Sequence, residues 1–266
     1  MLKLQKLTKR RIKSGDEKWI IRGLIISFFA SLISHVLILP PFEGFDESAH
    51  YSYISFLSDR KELPRLNETY IDQNVENVWL VLPKPYDSVP PFERNGGMTY
   101  EYFYDTHSEY ERDATLQNYW FGETGERNYA TSQTINWLAQ HPPLYYILMV
   151  MPYRLTRDWS PGLQLLFLRV ISILIASGSL FFLVQAMRLV SAPHQEHLLF
   201  GGVCMLFFPS LFFSFGRLGN DSLVAFLAAG VFYFMLAVYF ESPDHRLSNW
   251  VKLAILMGCG LLTKLF

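Results

Sequence analysis

Cysteine is nearly absent from this 266-residue chain: there are two, Cys204 and Cys259, and both fall inside apolar blocks. Neither a disulfide framework nor a thiolate metal site is implied, and the pair reads as small membrane-core residues. A Walker phosphate loop, a Rossmann glycine fingerprint and zinc-type His/Cys spacing are also missing, so nucleotide-driven chemistry has no support. Charge of one sign is missing in the sum, since 23 Lys and Arg nearly balance 24 Asp and Glu. The sum hides an asymmetry. Residues 1–18 carry Lys3, Lys6, Lys9, Arg10, Arg11, Lys13 and Lys18 against Asp16 and Glu17, whereas the stretch from Pro41 to Gln140 is acidic.

What the chain has in quantity is long apolar sequence. Blocks run from Trp19 to Leu39, Leu163 to Val190, Leu198 to Phe215, Leu223 to Phe240 and from Val251 to the end. Each approaches or exceeds the ~18 residues that cross a bilayer core. The expected fold is therefore all-α: a polytopic transmembrane helix bundle with a large extracytoplasmic first loop. The basic N-terminus is placed in the cytoplasm by the positive-inside rule. The first block is too long for a signal-peptide core and lacks a small-residue cleavage site, so it reads as a retained anchor that runs outward. Its expected bounds are 19–39, followed by a loop domain over 40–142, a short helix over 143–157 and spans near 163–187, 198–215, 223–240 and 250–266. The sequence closes on Leu262-Thr-Lys-Leu-Phe266 inside an apolar run, which reads as a fragment or one half of a longer chain.

Within the loop, Ser48 to Leu57 reads as a helix near the surface, and Arg60 to Leu66 as a turn. Leu82 to Tyr86 and Val89 to Phe92 read as proline-set extended segments, and Asn95-Gly-Gly97 as a turn. Dense aromatics, among them Tyr100, Phe103, Tyr119, Trp120 and Trp137, suit either an aromatic core or a surface that stacks on sugar rings. The run Leu144 to Leu155 is short and interrupted by Pro152, which fits an interfacial or re-entrant helix better than a span. On that reading Gly216 to Ser222 lies on the same side as Asp46; if the run crosses, the later loops swap sides. The positions of Arg154, Arg157 and Arg217 do not favour the non-crossing choice, which rests on length.

Four constellations stand out. Pro40-Pro-Phe-Glu-Gly-Phe-Asp-Glu-Ser-Ala-His50 sets Glu43, Asp46, Glu47 and His50 beside the first block. If the stretch is helical, offsets of three, four and seven residues put all four on one face. Asp46, Glu47 and His50 are candidate ligands for Mg²⁺ or Mn²⁺, and a metal-free base is equally allowed. His141, set by two prolines, could face this cluster. Arg217-Leu-Gly-Asn-Asp-Ser222 is good turn chemistry, in which Asn220 or Asp221 can cap the next helix. It also offers Arg217 as an anion clamp. Lys264 falls ~21 Å along the last block, counting from Trp250. An unpaired lysine there costs roughly 2.5–3.5 kcal/mol, so it either snorkels or holds a lipid-linked phosphate.

These segments, with His141-Pro-Pro-Leu-Tyr-Tyr146 and Gly260-Leu-Leu-Thr-Lys264, resemble in order the GT-C superfamily of polytopic glycosyltransferases. The nearest likenesses are the protein mannosyltransferase and aminoarabinose transferase-like proteins and the related DUF2142 membrane proteins. The resemblance covers nearly the whole chain, through motifs that are individually short. The Phe-Glu-Gly-Phe insert between Pro-Pro and Asp-Glu departs from the tightest DUF2142 pattern, and the span count is about half the usual one. The resemblance implies a polyprenyl-phosphate-linked sugar donor, a lipid, glycan or protein acceptor, and no nucleic acid. It implies Asp46 or Glu47 as base or metal ligand, Asp46 being the first choice. Glu43, His50, His141, Arg217, Asn220, Asp221 and Lys264 would then bind substrate, at the outer face of a plasma or bacterial inner membrane. The competing classes are a non-catalytic transporter that binds a polar lipid head group and an envelope scaffold.

Overall fold

The computed structural model describes residues 14–83, 99–122, 128–191, 214–240 and 243–264. Its helices are α1 (Ser14–Ile38), α2 (Glu47–Arg60), α3 (Gln73–Val81), α4 (Tyr100–Thr106), α5 (Glu109–Phe121), α6 (Leu144–Leu155), α7 (Pro161–Ser191), α8 (Asp221–Phe240) and α9 (Pro243–Leu261). Two short strands, β1 (Tyr70–Asp72) and β2 (Thr131–Ile135), pair antiparallel with Tyr70 opposite Ile135 and Asp72 opposite Thr131. This small sheet corrects the all-α expectation in the loop region, where Tyr70, Ile71 and Thr131 to Ile135 supply the β-branched and aromatic residues that suit a pleated ribbon. The proline-set segment from residue 84 and the Asn95-Gly-Gly97 turn lie outside the described residues.

Among the described residues two helices are long and apolar enough to cross a membrane: α7 over Pro161–Val190 and α8 over Asp221–Phe240. In α1, a 25-residue helix, the apolar stretch Ile25–Ile38 is shorter. Most of the block from Leu198 to Phe215 lies outside the described residues, and α9 is continuously apolar only beyond Lys252.

Close packing of α7, α8 and α9 depends on small residues. A Cβ on Gly178 of α7 would come 2.6 Å from the Phe226 ring of α8, and one on Gly230 of α8 would come 2.8 Å from Leu256 of α9. Phe182 meets Phe226, Tyr233 and Phe234. Phe28, Leu32 and Val36 of α1 join Ile173 and Ala176 of α7 in a second apolar cluster with Phe215. The C-terminal ends of α1 and α9 and the N-terminal ends of α7 and α8 consequently meet at one end of the bundle. Arg169 reaches the Leu39 carbonyl there, and Lys264 reaches Asp221.

The intervening domain sits on that end, with α2 at its centre. The sequence reading put Ser48 to Leu57 near the surface. Instead Ala49, Tyr51, Tyr53 and Ile54 are buried against Tyr145, Tyr146, Met149 and Tyr153 of α6. The polar look of α2 comes from serines whose hydroxyls are satisfied locally. Ser52 Oγ donates to the Ser48 carbonyl, and Ser55 Oγ donates to Asp72 Oδ2 at 2.6 Å. Local chemistry fixes the domain's other helix starts: Asp72 accepts the Asn74 N–H, and Ser108 with Glu111 forms a reciprocal capping box. The twelve residues of α6 make a helix about 18 Å long, against a hydrocarbon core of ~30 Å.

Candidate functional site

The Pro40–Asp46 turn is shaped by its neighbours. Phe42 and Asp46 both take positive φ, 56° and 60°. Gly44 is required because a Cβ there would lie 2.8 Å from Arg217 Cβ. Asp46 occupies the residue before α2 but makes no capping bond. An aspartate at that position usually caps the helix through its carboxylate. Here the left-handed backbone sends the side chain elsewhere, and Trp137 Nε1 donates to Asp46 Oδ1 at 2.8 Å.

The acidic cluster divides into two groups. The expectation that Glu43, Asp46, Glu47 and His50 share one helical face is corrected, because α2 starts only at Glu47 and the turn points the earlier acids apart. Glu47 is fully buried and held by Arg169, whose Nε and Nη2 donate to its two oxygens at 2.8 and 2.6 Å. Glu47 Oε1 also accepts the Leu218 N–H at 2.9 Å. The rest of the Arg169 guanidinium donates to the Leu39 and Pro40 carbonyls at 2.7 and 2.8 Å. Glu43 belongs to the same side: it accepts a hydrogen bond from the Tyr100 hydroxyl and feels the charges of Arg169 and Glu47. Burial outweighs the arginine and raises its pKa to about 6.

Asp46 and His50 face the other group. Asp221 Oδ2 pairs with Arg217 Nη2, and Asp221 Oδ1 with Lys264 Nζ, both at 2.7 Å. Arg217 Nη1 also donates to the Phe45 carbonyl at 2.6 Å. Asn220 Nδ2 donates to His141 Nδ1 at 3.1 Å and to the Thr263 carbonyl at 3.2 Å. The acceptor role of Nδ1 puts the proton of neutral His141 on Nε2. Tyr53 donates to the His141 carbonyl and stacks on Tyr146 at 3.6 Å between ring centroids, while the Tyr146 hydroxyl bonds His50 Nδ1 at 3.0 Å. The Leu144 N–H binds the Leu262 carbonyl at 2.9 Å, which joins the start of α6 directly to the end of α9. Asp46, His50, His141, Arg217, Asn220, Asp221 and Lys264 thus come together from four distant stretches of chain.

Burial dominates the titration of this group. It raises the Asp46 carboxyl above the ordinary aspartate value against the pull of the Trp137 hydrogen bond, Arg217 and His141. His50 is driven down to about 3 by burial, with Arg217 acting in the same direction. His141 is lowered as well, first by burial and then by Lys264. Both imidazoles are therefore neutral at neutral pH. Arg217 and Lys264 share one carboxylate, so this triad carries an excess of one positive charge, set beside a carboxylate made more basic by burial.

Among the described residues no group of three or more His, Cys, Asp and Glu is arranged to hold a metal ion. Each member of the expected donor set of Asp46, Glu47 and His50 already has a protein partner. Both Glu47 oxygens are engaged by Arg169, His50 Nδ1 by Tyr146, and Asp46 Oδ1 by Trp137. Glu47 is held as the fully buried partner of Arg169. Sequence reasoning missed Arg169, and it noticed Trp137 and Tyr146 only as a loop aromatic and as the end of the His141–Tyr146 motif, without a role in the site. Arg169 had a legible signal, as a charge near the start of the Leu163–Val190 apolar block; nothing in the sequence pointed Trp137 to Asp46 or Tyr146 to His50.

The architecture is that of a helical protein with apolar helices of spanning length and a polar site where their ends meet a folded domain. The chain belongs to the DUF2142 family, described as predicted membrane proteins, which it matches over residues 29–265. No curated protein and no solved structure shows a significant match.

Proposed function

We propose that this protein is an integral membrane glycosyltransferase that moves a sugar from a polyprenyl-phosphate-linked donor to an acceptor at the extracytoplasmic face. The observation that carries the reading is a half-buried Asp46, its carboxyl raised by desolvation and within the electrostatic reach of Arg217, beside the Arg217–Asp221–Lys264 triad. Asp46 takes the proton of an acceptor hydroxyl as the acceptor oxygen bonds to the anomeric carbon. The bond from that carbon to the phosphate oxygen breaks, and its electron pair leaves with polyprenyl phosphate. General-base assistance of this kind contributes ~10²–10⁴-fold. Arg217 and Lys264 stabilise the charge that grows on the departing phosphate, where preorganised cations in a water-poor site act most strongly. A single displacement inverts the anomeric centre. The base role assigned to Asp46 uses no metal.

The test supplies full-length protein in lipid nanodiscs with a panel of polyprenyl-phosphate-linked hexoses and pentoses and follows release of polyprenyl phosphate. Release by the wild type and its loss in Asp46→Asn, with carrier binding kept, supports transfer. Carrier binding without release, in wild type and variant alike, overturns the enzyme reading in favour of a transporter or scaffold that holds the lipid head group.

A further inference from the structure

A cavity of about 870 Å³ opens in the intervening domain, lined by Phe42, Tyr51, Asn74, Asn77, Asn118 and Tyr119 among others. It is distinct from the Asp46 group, none of whose residues line it. Every described residue that lines it is uncharged, although the surrounding loop is rich in Asp and Glu. An ionic ligand would find no countercharge in that lining. A purely apolar ligand would bury the amide groups of these asparagines that their neighbours leave unengaged, which costs ~1–3 kcal/mol per orphaned group. The lining suits a ligand that is neutral, rich in hydroxyls and edged with C–H surface.

Two of the three amides are already oriented. Asn74 Nδ2 donates to Asp72 Oδ1 at 2.9 Å and to the Asn128 carbonyl at 3.0 Å, which uses both amide hydrogens and leaves Oδ1 as an acceptor. Asn77 Oδ1 accepts from Gln73 Nε2 at 3.1 Å, which leaves its amide hydrogens as donors. The Tyr51 hydroxyl donates to Gln164 at 2.6 Å, so this residue offers its ring rather than its hydroxyl, and Phe42 packs edge-on against that ring at 5.5 Å. Asn118 lines the cavity from α5, whereas Asn74 and Asn77 line it from α3. Fixed donors and acceptors over an aromatic floor, in a volume within the ~300–1,000 Å³ of small-ligand sites, match a saccharide.

We infer that this cavity is a binding site for a neutral saccharide of a few residues, held by Asn74, Asn77 and Asn118 over Phe42, Tyr51 and Tyr119. It deepens the glycosyltransferase reading by naming a glycan as acceptor, and its test is independent of transfer. Full-length protein in nanodiscs is titrated calorimetrically with a panel of neutral tri- and tetrasaccharides built from gluco-, manno- and galacto-configured units, alongside uronic-acid analogues of the same length. At least one neutral member binds, and the double variant Asn77→Ala/Asn118→Ala weakens it ten-fold or more. Asn77 and Asn118 are exposed, and an unchanged thermal midpoint shows that the variant remains folded. Asn118→Trp, which fills the cavity, abolishes binding. Asp46→Asn leaves it intact even if transfer fails, so the two readings fail separately. Absence of binding by every neutral member, equal binding by the double variant, or preference for the uronic-acid analogues overturns the inference.

Discussion

Arg169 and Glu47 form a buried, two-point ion pair that ties the start of α2 to α7, with contacts of 2.6 and 2.8 Å. The same arginine holds the Leu39 and Pro40 carbonyls just after α1, and the same glutamate holds the Leu218 N–H. One pair therefore fixes the relative placement of α1, α2, α7 and the turn that carries Arg217. Removing one partner of a buried pair leaves the other charge uncompensated, at a cost of ~3–5 kcal/mol. Arg169→Met should lower the unfolding free energy of the full protein in detergent by about that much. Glu47→Gln/Arg169→Met should recover part of the loss. Equal stability of Arg169→Met and wild type in denaturant titrations would show that the pair does not hold the site together.

His50 predicts a pH signature. Its folded pKa is about 3, below the ordinary 6.5, because burial disfavours the imidazolium. Above pH 6.5 neither folded nor unfolded protein binds this proton, and the stability contribution is full. As pH falls from 6.5 towards 3, the unfolded chain binds a proton that the native state refuses, and stability drops by up to ~1.4 kcal/mol per pH unit. Glu43, raised to about 6, acts in the opposite direction between its ordinary 4.5 and 6, because the native state binds that proton more tightly. Comparing wild type with His50→Asn cancels the Glu43 slope. The variant should lose less stability on going from pH 7 to pH 5, as read by thermal unfolding; parallel curves would mean that His50 is not buried as a neutral ring.

Membrane placement is open to a direct chemical test. Tyr110 is 82% exposed on α5, in the domain that the proposal puts outside the cell. In a background with Cys204 and Cys259 replaced by serine, Tyr110→Cys should react with a membrane-impermeant maleimide in intact cells. Labelling only after lysis would put the domain, and Asp46 with it, on the cytoplasmic side.

Much of the site was legible before the fold. The segments around Asp46, His141, Asn220 and Lys264 stood out as charged or proline-set residues next to apolar blocks, where such groups are costly without a role. Their convergence did not follow from any one segment, because it depends on contacts such as Leu144 to Leu262 that join residues far apart in sequence. The split of the acidic cluster was hidden for two reasons. The positive φ of Asp46 defeats the helical spacing on which the one-face expectation relied, and the partner of Glu47 lies more than a hundred residues away. The burial of α2 was disguised by serines, whose hydroxyls look solvent-seeking in sequence but are satisfied within the domain. The small β-ribbon was missed because its two strands, Tyr70–Asp72 and Thr131–Ile135, are short and far apart in sequence.

The central claim is that Asp46 and the two cations act at opposite ends of one displacement, and steady-state kinetics with the lipid-linked sugar that supports turnover separates their roles. Asp46→Asn should lower kcat by ~10²-fold or more with little change in KM for the donor, since a base acts in the transition state. Lys264→Ala should raise donor KM as well as lowering kcat/KM, because the ammonium holds the phosphate before and during its departure. Transfer unaffected by Asp46→Asn, or donor KM unmoved by Lys264→Ala, would contradict the account.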